Sequence, residues 1–443
     1  GILMLKKIIA FVLAFSLIFS LTGCSTANIT NGDLLAPPKP SGEMYEIQKA
    51  LEKAVKSNVK LKYPTSGDYR SAFILKDLAN SGKEDYCIAL YAVGEEATQN
   101  IHINVIKNNN GEWISLHDTY YASSNVERID FHDFTGDGIL DIIVGFNIYS
   151  GVDKQVAVYS LEKNSIVTRL LEPYDHFLFT DLNSDKEKEM FVLNHDAATG
   201  SATARLYTFN KNGITELGSC RLDGGISSYY APTETTLAND QPAILVDAIK
   251  GKGLITEAIF IKDNNLFAPF INEASGQNIL TQRENSVSCK DINGDGRLDI
   301  PTLRPISGVT GNDMSSSYVT SWVNYNGTDI FTVAHTIMNY IDGYYLTLPE
   351  EYITSIGINR QTEARQRTFY IWNYEENLPE TELFTIMVVA EDDWKEMSAS
   401  SGYFELDRDA GYVYLGKIHE NTDKDQKTIT KEELLEMFNL IKG

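Results

Sequence analysis

Two decapeptides carry the densest chemistry in this chain. Asp133–Ile142 reads DFTGDGILDI and Asp291–Ile300 reads DINGDGRLDI. Three aspartates within nine residues repel one another unless a cation neutralises them. In the first loop Asp133, Thr135 and Asp137 supply side-chain oxygens at positions 1, 3 and 5. Ile139 offers its backbone carbonyl at position 7, and Asp141 closes the shell at position 9. In the second loop the same roles fall to Asp291, Asn293, Asp295, the carbonyl of Arg297, and Asp299. Gly138 allows the sharp bend that a Cβ would obstruct. Calcium takes six to eight oxygens in flexible geometry, whereas zinc or copper would ask for His or Cys. The expected ion is therefore Ca2+. An EF-hand is excluded, because position 12 is Val144 in one loop and Thr302 in the other, and DIIVGF reads as a strand where a helix should follow.

A third copy, FTDLNSDKEKEMFVL, keeps Asp181, Asn183, Asp185 and Glu189 as candidate ligands but places Lys186 where the glycine belongs. The loop at Asp77 retains Gly82 and Asp85, yet has Ala79 and Ser81 at ligand positions and is expected to survive only as a turn. The copy at Thr236 has lost its acids, and no ion is expected there. From Asp77 through Asp133, Asp181 and Thr236 to Asp291 the loops recur at intervals of 56, 48, 55 and 55 residues.

These loops need strands to hold them. In each copy an apolar segment enters the acidic turn and another leaves it, and further strand patterns such as NIHINVIKN, KQVAVYSLEK and ARLYTFNKNG fill the intervals. Asn110-Gly111, Asn212-Gly213 and Asn326-Gly327 mark tight turns. A period near 55 with about four strands per unit suggests propeller blades. The units resemble the FG-GAP or VCBS repeat family, whose calcium-loop blades also occur in the integrin alpha-chain propeller. The resemblance runs from about Tyr69 to Tyr340 and is strongest for secreted lipoproteins of low-GC Gram-positive bacteria, with the segment LKYPTSGDYRSAF ahead of the first loop. It implies a calcium-loop β-propeller and no assigned activity.

The start of the chain reads as an address. Lys6 and Lys7 precede an apolar run from Ile8 to Leu21 that closes on LTGCS. The run is shorter than the roughly 20 residues of a membrane span, so a secretory signal over residues 1–23 is expected. Cys24 resembles the lipobox cysteine of bacterial lipoproteins, which implies a diacylglyceryl anchor on the extracytoplasmic face of the cell membrane. Two acyl chains anchor stably where one is marginal. Residues 24–40, with Pro37, Pro38 and Pro40, form a tether. Ser41 is placed to cap a helix carrying Met44, Ile47, Leu51, Ala54 and Val55 at helical spacing.

Composition narrows the partners. The chain of 443 residues has a formal charge of −23, and loss of Lys6 and Lys7 with the signal would make it −25. Such a surface excludes nucleic acid, whose phosphates want Lys and Arg, and suits multivalent cations. Cys87, Cys220 and Cys289 remain after Cys24, an odd number that rules out a disulfide framework. The seven histidines, His102, His117, His132, His176, His195, His335 and His419, show no zinc-peptidase spacing. His132 next to Asp133 reads as a neighbour of the metal loop or as an ordinary alternating strand position. No nucleophile elbow, Walker loop or dinucleotide fingerprint is present.

Beyond residue 342 the repeats give way to strands such as RTFYIWNY and ELFTIMVVA. A closing helix follows, with Thr430 and Glu433 as a capping box ahead of Leu434, Met437, Phe438 and Ile441. The expected fold class is mainly β: an N-terminal helix plus propeller repeats over 41–342, followed by a small α+β domain over 343–443. The expected function is binding, by a monomer, of a protein or glycan at the envelope. A polysaccharide-acting enzyme at the propeller mouth is the main alternative. An assembly factor working through the C-terminal domain is a third reading.

Overall fold

The computed structural model describes residues 42–94, 100–149, 152–210, 213–284, 287–306, 318–361, 364–397, 399–421 and 428–442. The expected signal, Cys24, the tether and Ser41 lie outside the described residues. Among the described residues the protein is mainly β, and its strands form six antiparallel sheets of four or five strands that follow one another along the chain.

The second sheet shows the unit plainly. Asn125–His132, Asp141–Tyr149, Val152–Glu162 and Ser165–Pro173 form a meander in which each strand bonds to the next. Ile142, Ile143 and Val144 are all buried in succession, which requires cover on both faces of the sheet rather than on one. The same holds for Met190–Leu193 in the third sheet and Ala243–Val246 in the fourth. Neighbouring sheets supply that cover. Ile88 and Leu90 of the first sheet share a core with Val144 and Phe146 of the second. Ile143 and Val158 meet Phe177 and Val192 of the third, whose Phe191 and Leu206 meet Ile244 and Ile259 of the fourth. Leu245 and Ala258 then pack with Ile300 and Val323 of the fifth sheet, and Ile337 and Leu346 of the fifth with Phe369 and Phe384 of the sixth.

The remaining face of the first sheet is covered by the helix Glu43–Val55, whose Ile47 and Leu51 lie on Cys87, Ala89 and Tyr91. Its N-cap is Gly42, with φ 59° and no side-chain cap bond, rather than Ser41. Among the described residues no core cluster joins the sixth sheet back to the first. The Asn110-Gly111 turn adopts φ 54° and 97° and links Ile101–Asn109 to Glu112–Tyr121, as a two-residue hairpin loop requires.

The C-terminal helix forms where its capping box places it, with both box bonds made, but it covers only Lys431–Met437. Phe438 is not helical. Phe438–Leu440 is a strand that pairs with Tyr344–Leu346, because the apolar Phe438 and Leu440 can complete the open edge of the fifth sheet. That sheet therefore takes strands from both sides of the boundary expected at 342/343. Asp342, only 5% exposed, ties the fifth and sixth sheets. It accepts from Arg365 Nε at 2.8 Å and Arg367 Nη1 at 2.5 Å. Tyr414 donates its hydroxyl to the Asp342 carbonyl at 2.8 Å. Burial pushes the Asp342 carboxyl up, but Asn339 and the two guanidiniums outweigh it and hold the group below its ordinary value.

Candidate metal centres

Four of the five recurring loops share one backbone. At position 6, Gly82, Gly138 and Gly296 each have φ 83°, and Lys186 has φ 74°. Position 4 is left-handed too, at Asn80, Gly136, Ser184 and Gly294. This double bend turns successive N–H groups onto the position-1 aspartate. Its Oδ2 accepts from the position-6 N–H at 2.7 Å in Asp77, 3.0 Å in Asp133, 2.9 Å in Asp181 and 2.8 Å in Asp291. Position 5 is shared as well. The Oδ1 atoms of Asp137, Asp185 and Asp295 accept from the position-7 N–H at 2.8, 2.8 and 2.9 Å.

The closing acid starts the outgoing strand or sits at its edge, so the sheet buries it. Asp141, Glu189 and Asp299 are 2%, 1% and 0% exposed. Each accepts from the position-2 N–H, of Phe134 at 2.8 Å, Leu182 at 2.9 Å and Ile292 at 3.2 Å. The other oxygen of Asp141 takes Ser160 Oγ at 2.5 Å, and that of Asp299 takes Asn324 Nδ2 at 3.0 Å. Burial pushes all three carboxyls up, Glu189 to about 7. Position 2 carries a buried apolar side chain in every copy, Leu78, Phe134, Leu182, Leu237 and Ile292. The Thr236 copy keeps that anchor and still makes a turn, although its first and ninth positions are no longer acidic.

The loops fit a hard cation to different degrees. Asp181, Asp185 and Glu189 bring one carboxylate oxygen each within 4.8 Å of one another. Among the described residues the aspartates of the other two loops do not reach that spacing. The third loop is thus the most convergent, although Lys186 marked it as the poorest of the three from sequence. Lys186 is exposed and makes no ion pair among the described residues. It supplies the bend and leaves its charge in solvent. All donors are oxygens, and a divalent ion would supply the positive charge that the buried closing acids lack. Thr135 Oγ1 lies 3.4 Å from Asp133, and Asn293 Oδ1 accepts from Asp295 N at 3.2 Å, so both stand inside their loops.

The loops also touch one another. Leu140 N donates to Leu78 O at 2.7 Å, from the second loop to the first. Leu298 N donates to Thr235 Oγ1 at 3.1 Å, and the Arg297 guanidinium pairs with Asp240 of the eroded fourth loop. Neighbouring sheets are fastened here as well as strand pairs.

No protein-family model matches the chain, and none of the curated proteins compared with it does. Solved structures match loosely. A rhamnogalacturonan lyase of Bacillus licheniformis is 13% identical with a TM-score of 0.29 over 55% of this chain, which spans 53% of the lyase, about half its length. The exotype rhamnogalacturonan lyase YesX is 9% identical with a TM-score of 0.26, covering 82% of this chain and 75% of that one. AofleA of Arthrobotrys oligospora is 11% identical with a TM-score of 0.24 over 57% and 70% of the two chains. Overlays this loose carry no functional argument. No helix among the described residues is long and apolar enough to cross a membrane.

The remaining polar features divide into core and cleft. His132 packs edge-on to Phe134 at 4.4 Å, and burial lowers its pKa, as an ordinary strand position requires. Sequence reasoning missed a buried cluster in the fourth sheet. Glu257 is 0% exposed, takes Asp223 N at 3.3 Å on Oε1, and has no hydrogen-bond partner within reach of Oε2 among the described residues. Burial pushes it up to about 7. Lys250 Nζ pairs with Asp223 at 2.7 Å. Glu257 and Lys250 sit at unremarkable strand positions and Asp223 just past a strand end, so only folding reveals the cluster.

Proposed function

We propose that this chain is a lipid-anchored, extracytoplasmic, calcium-stabilised β-propeller that acts as a binding module at the envelope surface. The observation that carries the reading is the shared loop frame: four turns with one pattern of left-handed residues, each gathering backbone N–H groups onto a leading aspartate. A frame repeated on successive sheets is a structural device, because a catalytic site is needed once. Meanders packed face to face in chain order support the blade reading. The terminal helix and the sixth sheet form the α+β unit that closes the fifth blade. Cys24 would carry the diacylglyceryl anchor, and the acidic surface favours Ca2+ over nucleic acid.

The enzyme reading needs a proton-holding carboxyl facing an open pocket. Glu257 holds its proton near neutrality but is closed off from solvent, so it supports that reading no further. The test is retention of envelope fractions by the protein with and without Ca2+, alongside thermal melting. Chelation is expected to lower the melting temperature and to weaken retention in parallel. An unchanged melting temperature would remove calcium from the proposal, and turnover of an envelope polysaccharide would replace binding with catalysis.

A further inference from the structure

The metal loops occupy one end of the sheets. At the opposite end, where Asp141–Tyr149 and Glu189–Asp196 finish, the second, third and fourth sheets enclose a cleft of about 540 Å3. That lies within the range of small-ligand pockets, roughly 300–1,000 Å3. Its walls are Lys154 and Gln155 of the second sheet, Tyr174 and Asp175 of the connection, and Asn194 and His195 of the third sheet, with Ser227 from the fourth. The apolar lining is small, being Pro173, Ala197 and Ala198.

The wall is fixed before any ligand arrives. Asp175 Oδ2 accepts from His195 N at 2.5 Å, and His195 Nε2 lies 3.0 Å from Gly224 O. Lys154 Nζ spans Glu127 at 2.8 Å and Asp175 O at 2.9 Å. Tyr174 donates its hydroxyl to Glu127 at 2.8 Å. Against this scaffold the amides of Gln155 and Asn194 and the Oδ1 of Asp175 have no partner among the described residues. Asp175 is held by His195 N, and Asn194 shares the strand face of Val192 that packs on the second sheet, so a carboxylate oxygen and an amide, with Gln155 also in the lining, offer both donors and acceptors to one small volume. Lys154 is neutralised by Glu127, so the wall keeps the negative charge of Asp175 and Asp196 and disfavours anions.

We infer that this cleft binds a neutral polyhydroxylated ring, a sugar residue of a larger glycan. Hydroxyls both donate and accept, which matches amide and carboxylate partners, and small apolar walls accommodate C–H faces. The inference rests on the binding-module reading and adds the ligand class and the place. Methyl glucoside, methyl galactoside, methyl N-acetylglucosaminide and glucuronate would be titrated into the full chain by saturation-transfer NMR and calorimetry in millimolar Ca2+. At least one neutral glycoside is expected to bind at millimolar concentration, with glucuronate at least about tenfold weaker. Asn194→Ala and Gln155→Ala are each expected to weaken binding by roughly 3- to 10-fold without moving the melting temperature. Absence of binding by all three neutral glycosides up to about 50 mM would overturn the inference, as would glucuronate binding equally well or indifference to both variants. If the double variant loses sugar but still retains envelope material, the binding module stands and the cleft is not its contact surface. If sugar binds yet no envelope material is retained, the cleft assignment stands and the broader reading falls.

Discussion

Single residues carry unequal burdens in this molecule. Lys186 holds φ 74° where its counterparts are glycines, a conformation that costs a residue with a Cβ about 1–2 kcal/mol. Lys186→Gly is therefore expected to stabilise the chain by roughly 1 kcal/mol after the entropy that glycine loses on folding. Urea unfolding measures the difference. Asp342 is the opposite case. Asp342→Ala leaves Arg367, buried with it, short of its counter-charge, and a loss of about 3–5 kcal/mol is expected. Glu257 sets a pH response. Its folded pKa of about 7 stands above its ordinary 4.5, so the folded chain holds an extra proton between those values. That contribution is complete below about 4.5 and is lost as pH rises through about 7. Glu257 is expected to lower stability by on the order of 2–3 kcal/mol between pH 5 and pH 8, and Glu257→Gln to remove that share of the decline and leave the share of Glu189, raised likewise to about 7. A melting curve of wild type with no such decline would contradict this.

At the scale of elements, the loop and its flanking strands form the unit, and much of that unit was legible. Asp133, Gly138 and Asp141 stand where the 1, 6 and 9 spacing puts them, because a tight turn with two left-handed residues leaves the chain few alternatives. The Thr430–Glu433 box starts its helix for the same local reason. Helix ends were less legible: Phe438 left its helix because the fifth sheet offered it an edge. The ranking of the loops also changed, since Lys186 takes up the bend and Asp181, Asp185 and Glu189 converge. Calcium at about 100 times its dissociation constant is expected to stabilise the chain by about 2.7 kcal/mol per site. Asp181→Asn combined with Asp185→Asn should remove the largest share of the calcium-dependent rise in melting temperature. An equal rise in that variant would assign the ion to the loops at Asp133 and Asp291.

Across the whole molecule, sheets are stabilised by the sheets beside them, with a helix at one end of the stack and a returning strand near the other. The last strand pairs far along the chain, Phe438 with Leu346 and Leu440 with Tyr344, and Leu434 and Met437 join the core shared by the fifth and sixth sheets, so both are closed by the final segment. Removing residues 430–443 strips Leu434 and Met437 from the shared core and opens the edge at Tyr344–Thr347. The truncated chain is expected to unfold in two steps, the fifth and sixth sheets first, where the intact chain loses them with the rest. Hydrogen exchange resolves the order. The sequence by itself determined the strands, the repeat, the turn chemistry and the oxygen donors, because each depends on residues within a dozen positions. Only the tertiary structure decided which acids converge, how Asp342 joins two sheets, and that a polar cleft lies at the end away from the metal loops. The last two bring together side chains from different sheets, and no local spacing encodes where packed faces will meet; the first turns on how the third sheet buries Glu189 against its own loop.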